Sequence, residues 1–196
     1  MGKKLWGGRF SKPTDPLMEE FGRSIQYDQK LAVYDVLGSI AHVDVLKKAG
    51  YVSASQADKL TKALESILAT IQEGRFKFDM KSEDIHTCIQ NELEKKVGAL
   101  VLKLQTARSR NDQVCLDTKM YCKDSAMEIV EHIEALKQAL KSTADRYKEC
   151  FIPGFTHMQH AQPVYIKDYL GAYIAMLSRD QALIEFISGN IVLSMG

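Results

Sequence analysis

Apolar residues recur every three or four positions along most of the chain, which is the spacing of one face of a helix. The segment from about Asp28 to Lys48 follows this spacing and ends before Gly50, and glycine is common just past a helix. A second segment begins at Ser53, which forms a capping-box pattern with Gln56, and Gly74 stops it. The two segments predict a helical hairpin. The positions assigned to its buried stripes are Leu31, Tyr34, Leu37, Ile40 and Ala41 in the first helix, and Leu60, Leu64, Ile67, Leu68 and Ile71 in the second.

Further helices are predicted downstream. A short one should follow Ser82-Glu83-Asp84, whose acidic side chains suit a helix N-terminus. Neither Pro nor Gly interrupts the apolar spacing from about Gln113 to Cys150, so a helix of that length is expected to measure about 55 Å. Pro153-Gly154 is predicted to break it, and Pro163 is predicted in the first turn of a last helix, where proline is favoured.

These helices define the predicted fold class and its two domains. No alternating strand pattern or hairpin signal competes with them, so the predicted fold is all-α. We expect a small N-terminal helical domain over residues 1–107 and the first, incomplete part of an intersubunit long-helix bundle over residues 108–196. Two long helices cannot close a four-helix bundle alone, so other subunits or sequence outside this chain should cover their apolar faces.

Composition narrows the partners and the compartment. The 196 residues are 45% hydrophobic, with 26 basic and 25 acidic side chains and a net charge of +1, so no global field favours nucleic acid or an anionic membrane. No segment is apolar enough to span a bilayer, and a cytoplasmic protein is expected. The four cysteines form no C-x-x-C pair and are predicted to be buried, reduced thiols. No histidine has a histidine four residues away, so no metal site is predicted.

Two clusters carry candidate chemistry. Arg108-Ser109-Arg110-Asn111-Asp112 precedes the long helix, where free N–H groups and the positive dipole end favour an anion, and Arg110 and Asn111 are the expected substrate contacts. Thr156-His157-Met158-Gln159 is expected on a connecting loop, which makes His157 a candidate acid or base. Together they suit a carboxylate-rich substrate that loses a proton, in an elimination. The alternatives are that Ser109 or Asp112 only caps the helix beside solvated arginines, and that His157 is an ordinary surface histidine.

Two further groups are less specific. Asp84 and His86 place a carboxylate and an imidazole two residues apart at a helix start, where they could contact the substrate or orient a catalytic group of a neighbouring subunit. Capping alone would also explain the acidic residues. For Ser24 and Asp28, at the start of the first helix, composition indicates only an N-terminal cap.

Five blocks spread over almost the whole chain resemble one known family, argininosuccinate lyase, and stand in that family's order. Two of the blocks are eight residues long, which makes chance agreement very improbable. The blocks are Leu5-Trp6-Gly7-Gly8-Arg9-Phe10, Gly38-Ser39-Ile40-Ala41-His42, Glu83-Asp84-Ile85-His86, Thr106-Ala107-Arg108-Ser109-Arg110-Asn111-Asp112-Gln113 and Thr156-His157-Met158-Gln159-His160-Ala161-Gln162-Pro163.

The resemblance implies an enzyme that splits argininosuccinate into arginine and fumarate in arginine biosynthesis, without a cofactor, as a homotetramer whose active sites draw on three subunits. It assigns substrate binding to Ser24, Asn111 and Thr156, places Arg110 and Asp28 in the same pocket, and gives His157 an acid–base role. The family's base is a serine in a Gly-Ser-Ser-x-Met-Pro loop, a sequence that these 196 residues do not contain. The chain alone is therefore expected to have no turnover. The alternatives are another lyase of the superfamily, acting on adenylosuccinate or fumarate, and a non-catalytic helical scaffold.

Overall fold

The computed structural model describes residues 14–194, which form two compact units. The first runs to Tyr121 and includes Leu193, and the second is Cys122–Val192. Helices make up most of both units, which confirms the predicted fold class. The boundary predicted between residues 107 and 108 stays a prediction, and the first resemblance block, over residues 5–10, lies outside the described residues.

The first unit contains seven helical elements and the start of an eighth among its described residues. The predicted helical hairpin is present, and its capping box is confirmed, because Ser53 Oγ accepts from the Gln56 N–H at 3.2 Å while Gln56 Oε1 accepts from the Ser53 N–H at 3.1 Å. The elements are α1 (Pro16–Gly22), α2 (Ile25–Asp28), a 3-10 turn (Gln29–Leu31) that leads directly into α3 (Ala32–Lys48), α4 (Ala54–Gln72), α5 (Ile85–Val97), a second 3-10 segment (Gly98–Gln105) and the beginning of α6 (Arg110–Arg146).

The core of this unit lies among α3, α4, α5 and the second 3-10 segment. The stripe predicted for α4 is buried at Leu60, Leu64 and Ile67. The stripe predicted for α3 is wrong at Leu37 and Ala41, which are exposed. The apolar residues of α3 are distributed over all faces of the helix, so their spacing does not identify a buried face. Polar contacts decide which face of α3 turns inward. The buried residues of α3 are Ala32, Asp35, Val36, Gly38, Ser39, His42, Val43 and Leu46.

The second unit contains the rest of α6, a β-hairpin and α7 (Ile166–Gly189). The hairpin pairs β1 (Phe151–Thr156) with β2 (Gln159–Tyr165), and Pro153 lies opposite Pro163. The placement of Pro163 in a first helical turn is therefore wrong. Neither proline has an N–H to donate, so the two can share a strand position that needs no donor, and each strand of a two-stranded sheet has an open edge where proline is tolerated.

The hairpin turn explains why no hairpin signal was visible. Its two central residues, His157 and Met158, have φ of 49° and 60°, the left-handed region that turns usually fill with Asn-Gly. At Gly154 the register shifts, and a Cβ there would lie 2.9 Å from the Gln162 carbonyl oxygen, so the strands approach each other where only glycine fits. The predicted loop at His157 is thus the two-residue tip of a hairpin.

Many large apolar side chains of the second unit are exposed, as expected for helices that need further partners. On α7, Leu183 is 58% exposed and Phe186 is 67% exposed. The prediction of buried cysteines is right for Cys88 and wrong for Cys115, Cys122 and Cys150, which are exposed. None of the helices within residues 14–194 has both the length and the apolarity needed to cross a membrane.

Candidate active site at the start of α6

The pentapeptide at residues 108–112 begins α6 with two caps. Ser109 Oγ accepts from the Asn111 N–H at 3.2 Å, and Asp112 Oδ2 accepts from the Ser109 N–H at 3.3 Å. The capping interpretation is therefore right for Ser109 and Asp112. Its second half, solvated arginines, is wrong for Arg108, which is 8% exposed. Arg110 is the arginine of this segment that keeps partial access to solvent.

Arg110 has hydrogen-bonding capacity to spare. Its side chain is 29% exposed, and its Nη1 lies 4.0 Å from Asp84 Oδ1, too far for a hydrogen bond. The same Nη1 is buried and has no hydrogen-bond partner among the described residues. Asp84 is occupied otherwise, because it caps α5 by accepting from the Thr87 N–H at 2.6 Å. A guanidinium with unused donors at the N-terminus of a long helix is suited to hold a carboxylate.

Ser24 and Asp28 also lie close to Asp84 in the first unit. Ser24 Oγ donates to Asp28 Oδ2 at 2.7 Å, and Asp28 Oδ1 accepts from the Ile85 N–H at 3.1 Å, next to Asp84. Burial raises the pKa of Asp28, while the bonds from Ser24 and Ile85 oppose that rise. The structure thus brings Ser24, Asp28 and Asp84 together around the N-terminus of α5, and the ion pair with Arg110 joins the N-terminus of α6 to it.

Three further predicted residues, Asn111, Thr156 and His157, are exposed, whereas His86 is buried. Asn111 lies in the first turn of α6. Thr156 ends β1 and pairs across the turn with Gln159, and His157 is the first residue of the turn. These two lie in the second unit, so their relation to Arg110 stays a prediction.

A buried polar network lies inside the first unit, and sequence reasoning missed it. His86 Nδ1 lies 2.5 Å from Asp35 Oδ2 and 3.5 Å from Asp117 Oδ2. Gln113 Nε2 donates to Asp35 Oδ2 at 2.9 Å. Arg108 Nη1 donates to Ser39 Oγ at 3.0 Å, which ties the segment before α6 to α3. One signal was available, since residues 35 and 39, like residues 113 and 117, are polar pairs four apart on one helix face.

The electrostatics of this network are governed by burial. Burial raises the pKa of Asp35 to about 7 and that of Asp117 to about 8, and the nearby guanidinium of Arg108 opposes both rises. Burial also lowers the pKa of Arg108, while both carboxylates oppose that change. Two carboxylates and one guanidinium leave one negative charge, so the network takes up a proton readily near neutral pH.

Asp35, His86 and Asp117 could also be considered as metal ligands, because one ligand atom of each lies within 4.8 Å of the others. The charge of the site favours a proton instead. With Arg108 present, a divalent cation would leave this buried site with excess positive charge, whereas one proton makes it neutral.

Comparison with known proteins identifies the family. The model of the family described as Lyase matches residues 8–195. This chain belongs to that lyase family. The lyase match contains both clusters of candidate chemistry and the buried network.

The curated relatives of this lyase chain are argininosuccinate lyases. The protein of that name from Streptococcus suis is 44% identical over 184 residues, which cover 94% of this chain and 40% of the relative. The one from Geobacter metallireducens is 43% identical and covers 93% of this chain and 40% of the relative. The chain therefore spans about 40% of the length of the curated relatives it matches.

Solved structures confirm the lyase fold. An EDDS lyase in complex with formate superposes with a TM-score of 0.70 at 17% identity, over 92% of this chain and 36% of that one. A fumarate lyase:delta crystallin from Brucella melitensis gives a TM-score of 0.70 at 15% identity, over 92% of this chain and 44% of that one. At these identities the likeness concerns the fold alone.

Proposed function

We propose that this chain forms part of an argininosuccinate lyase, a carbon–nitrogen lyase that cleaves argininosuccinate to arginine and fumarate in arginine biosynthesis. One observation carries the proposal beyond family membership. Arg110 presents a half-buried guanidinium, at the N-terminus of α6, with a donor that lacks a hydrogen-bond partner within residues 14–194. This is the anchor that a substrate with three carboxylates requires.

The binding roles follow from the geometry around that anchor. Arg110 binds a substrate carboxylate, and the exposed amide of Asn111 donates to the same end of the substrate, where the helix dipole adds to the attraction. Ser24, Asp28 and Asp84 form the acidic wall beside it, which suits the cationic guanidinium group of argininosuccinate. His86 is buried next to these residues and is proposed to orient the groups that bind the substrate.

The chemistry requires a proton to leave the carbon beside a carboxylate while the guanidinium nitrogen departs and gains a proton. Fixed donors must hold the charge that spreads into the carboxylate. In this proposal His157 is the acid–base group and Thr156 binds the substrate. The resembling family uses a loop serine as the base, and the 196 residues lack that loop sequence, so we expect no turnover from these residues alone.

The assembly proposed is a cytoplasmic homotetramer that needs no cofactor and binds neither nucleic acid nor membrane. The exposed apolar side chains of α7 support association, because Leu183, Phe186 and Ile187 are each more than half exposed within a single chain. In this proposal Thr156 and His157 of one subunit complete the site at Arg110 of another.

The test uses the longer protein encoded by this sequence and its adjoining coding region. Formation of fumarate from argininosuccinate is followed by ultraviolet absorbance. Adenylosuccinate and fumarate are tested as alternative substrates in separate assays. Arg110→Ala is expected to lower kcat/KM by at least about 100-fold, since a charge-assisted pair contributes about 3 kcal/mol. The matched control is Arg75→Ala, which removes an exposed guanidinium from the same unit.

Two results would contradict the proposal. Turnover of adenylosuccinate or hydration of fumarate in preference to argininosuccinate cleavage would assign another reaction. Absence of both turnover and calorimetric binding of argininosuccinate in the longer protein would favour a scaffold without catalysis. Fumarate release by the 196-residue chain itself would overturn the expectation that these residues are insufficient.

A further inference from the structure

Three features of the first unit are not explained by substrate binding. A cavity of about 420 Å³ beside α5 is lined by residues that include Phe76, Lys77 and Cys88, and it contains none of the predicted site residues. The apolar side chains of α1 are exposed, and nothing within residues 14–194 shows what would cover them. The buried network around His86 offers more, because it consists of defined contacts such as the one between His86 and Asp35. His86 also lies two residues after Asp84, which pairs with Arg110.

α6 is held against α5 and α3 by three polar contacts on one face. Arg110, Gln113 and Asp117 are spaced by three and four residues, so their side chains share that face. They reach Asp84 at 4.0 Å, Asp35 at 2.9 Å and His86 at 3.5 Å, respectively. The deepest contact is the one through His86, which is 3% exposed.

We propose that His86 is a positioning residue whose doubly protonated imidazole bridges Asp35 and Asp117. This bridge fixes the first turns of α6, and with them the Arg110 guanidinium. The inference rests on the proposed function where it concerns substrate, but the bridge itself concerns only the folded chain.

Charge balance supports the bridge. The carboxylates that face the imidazole are those of Asp35 from α3 and Asp117 from α6. The charges of Arg108, Arg110 and Asp84 act on Asp35 in turn. At the centre, two carboxylates and one guanidinium lack one positive charge. Two carboxylates that face one imidazole favour its charged form, and the two contacts through Nδ1 assign the proton that neutralises the network to His86.

Geometry supports it as well. His86 Nδ1 and Asp35 Oδ2 form a short hydrogen bond of 2.5 Å, and the same nitrogen faces Asp117 Oδ2 at 3.5 Å. Neither oxygen of Asp117 has a hydrogen-bond partner among the described residues, although both are buried. A carboxylate in that state is stable only beside a charge, and the 3.5 Å ion pair with His86 provides it.

The first measurement is the ¹⁵N spectrum of histidine-labelled chain, with His86 assigned by the signal lost in His86→Gln. At pH 7.5 exposed imidazoles are mostly neutral, because their ordinary pKa is about 6.5. We expect His86 to show two imidazolium-type ring nitrogens at this pH. A neutral tautomer at His86 would overturn the proposal. The measurement is made on the wild-type chain, and the His86→Gln variant serves only to assign the signal.

A second measurement separates a proton from a metal. One equivalent of Zn²⁺ is added to chain that was first treated with EDTA. The His86 signals should not move. A stoichiometric shift with loss of the Nδ1 proton would overturn the proposal, since it would make Asp35, His86 and Asp117 a metal site.

The third measurement tests positioning. Asp117→Asn keeps the shape of the side chain and removes one charge, so His86 should become neutral and the Arg110 Nε–H signal should shift or broaden. Asp44→Asn, an exposed change on α3, is the matched control and should alter neither signal. An unchanged Arg110 signal beside a neutral His86 would overturn the positioning role.

In the longer enzyme, Asp117→Asn should raise KM for argininosuccinate about tenfold, equal to about 1.4 kcal/mol, and change kcat by less than about threefold. Asp44→Asn should change neither constant. A loss confined to kcat would overturn positioning through Arg110. A failure of the proposed function can be told apart from a failure of this inference. Absence of turnover in the wild-type enzyme would contradict the function, whereas the spectra of His86 and Arg110 test the bridge independently of turnover.

Discussion

The two units differ in where their side chains find partners. In the first, the core leucines Leu60 and Leu64 are fully buried, and even the ionisable groups Asp35 and Asp117 are enclosed by the same unit. In the second, Leu183 and Phe186 of α7 are mostly exposed, and the candidate residue His157 lies at an exposed hairpin tip. The first unit encloses its apolar core and its buried charges, whereas the second leaves apolar helix faces exposed.

This contrast separates stability from function. A unit that encloses its own charges can keep Arg110 in place without help, so the binding corner should exist in the isolated chain. A unit that leaves apolar helix faces open is expected to gain stability when those faces are covered. Changes in the first unit should therefore act on a single chain, and changes in the second should act on the assembly.

The largest effect is expected from Asp35→Ala. This change removes the common partner of His86 and Gln113 and leaves the remaining charges of the network buried without their counterpart. The free energy of unfolding of the first unit should fall by about 3–5 kcal/mol. Hydrogen exchange of the α4 amides measures it, with Asp44→Ala as the exposed control on the same helix as Asp35. A loss below about 1 kcal/mol would contradict an enclosed network.

The next effect compares one leucine in each unit. Leu64→Ala opens a cavity in the core and should cost about 2–5 kcal/mol of unfolding free energy. Leu183→Ala on α7 should cost less than about 0.5 kcal/mol at low protein concentration. Urea denaturation monitored by hydrogen exchange in each unit gives both values. Equal costs in a dilute, monomeric sample would break the comparison, because they would show that Leu183 is covered within one chain.

The third effect is the pH dependence of the first unit. The pKa of Asp35 is raised to about 7 and that of Asp117 to about 8, above the value of about 4 in an unfolded chain, so the folded state binds more protons between these limits. The stability contributed by this proton binding is therefore fully present below about pH 4 and is lost as the pH rises to 8. Denaturation midpoints at several pH values measure the slope. Asp117→Asn should flatten it and Asp44→Asn should preserve it, whereas a rise in stability with pH would contradict burial as the cause of the raised pKa values.

The same division between local and distant contacts explains what could be predicted from the sequence. The capping box at Ser53 and Gln56, the hairpin of α3 and α4, and the continuous α6 follow from residues close together in the chain, and all are present. The residue that caps α5 is Asp84, within the predicted acidic start.

The features that were missed depend on partners distant in sequence or on unusual turn chemistry. Asp35 meets His86 across 51 positions and Gln113 across 78, and no helical spacing can reveal such pairs. The hairpin was missed because His157 and Met158 adopt the left-handed conformation without the Asn or Gly that normally announces it. Such a conformation in bulky residues is costly and is found where function requires it.

The smallest effect concerns the capping box itself, where local sequence alone should set the outcome. Ser53→Ala removes the acceptor for the Gln56 N–H and should lower the unfolding free energy of the first unit by about 1 kcal/mol. Ser55→Ala, an exposed change within the first turn of the same helix, should be neutral or slightly stabilising because alanine has the higher helix propensity. Urea denaturation of both variants compares them directly. A neutral Ser53→Ala would mean that tertiary packing, rather than the cap, fixes where α4 begins.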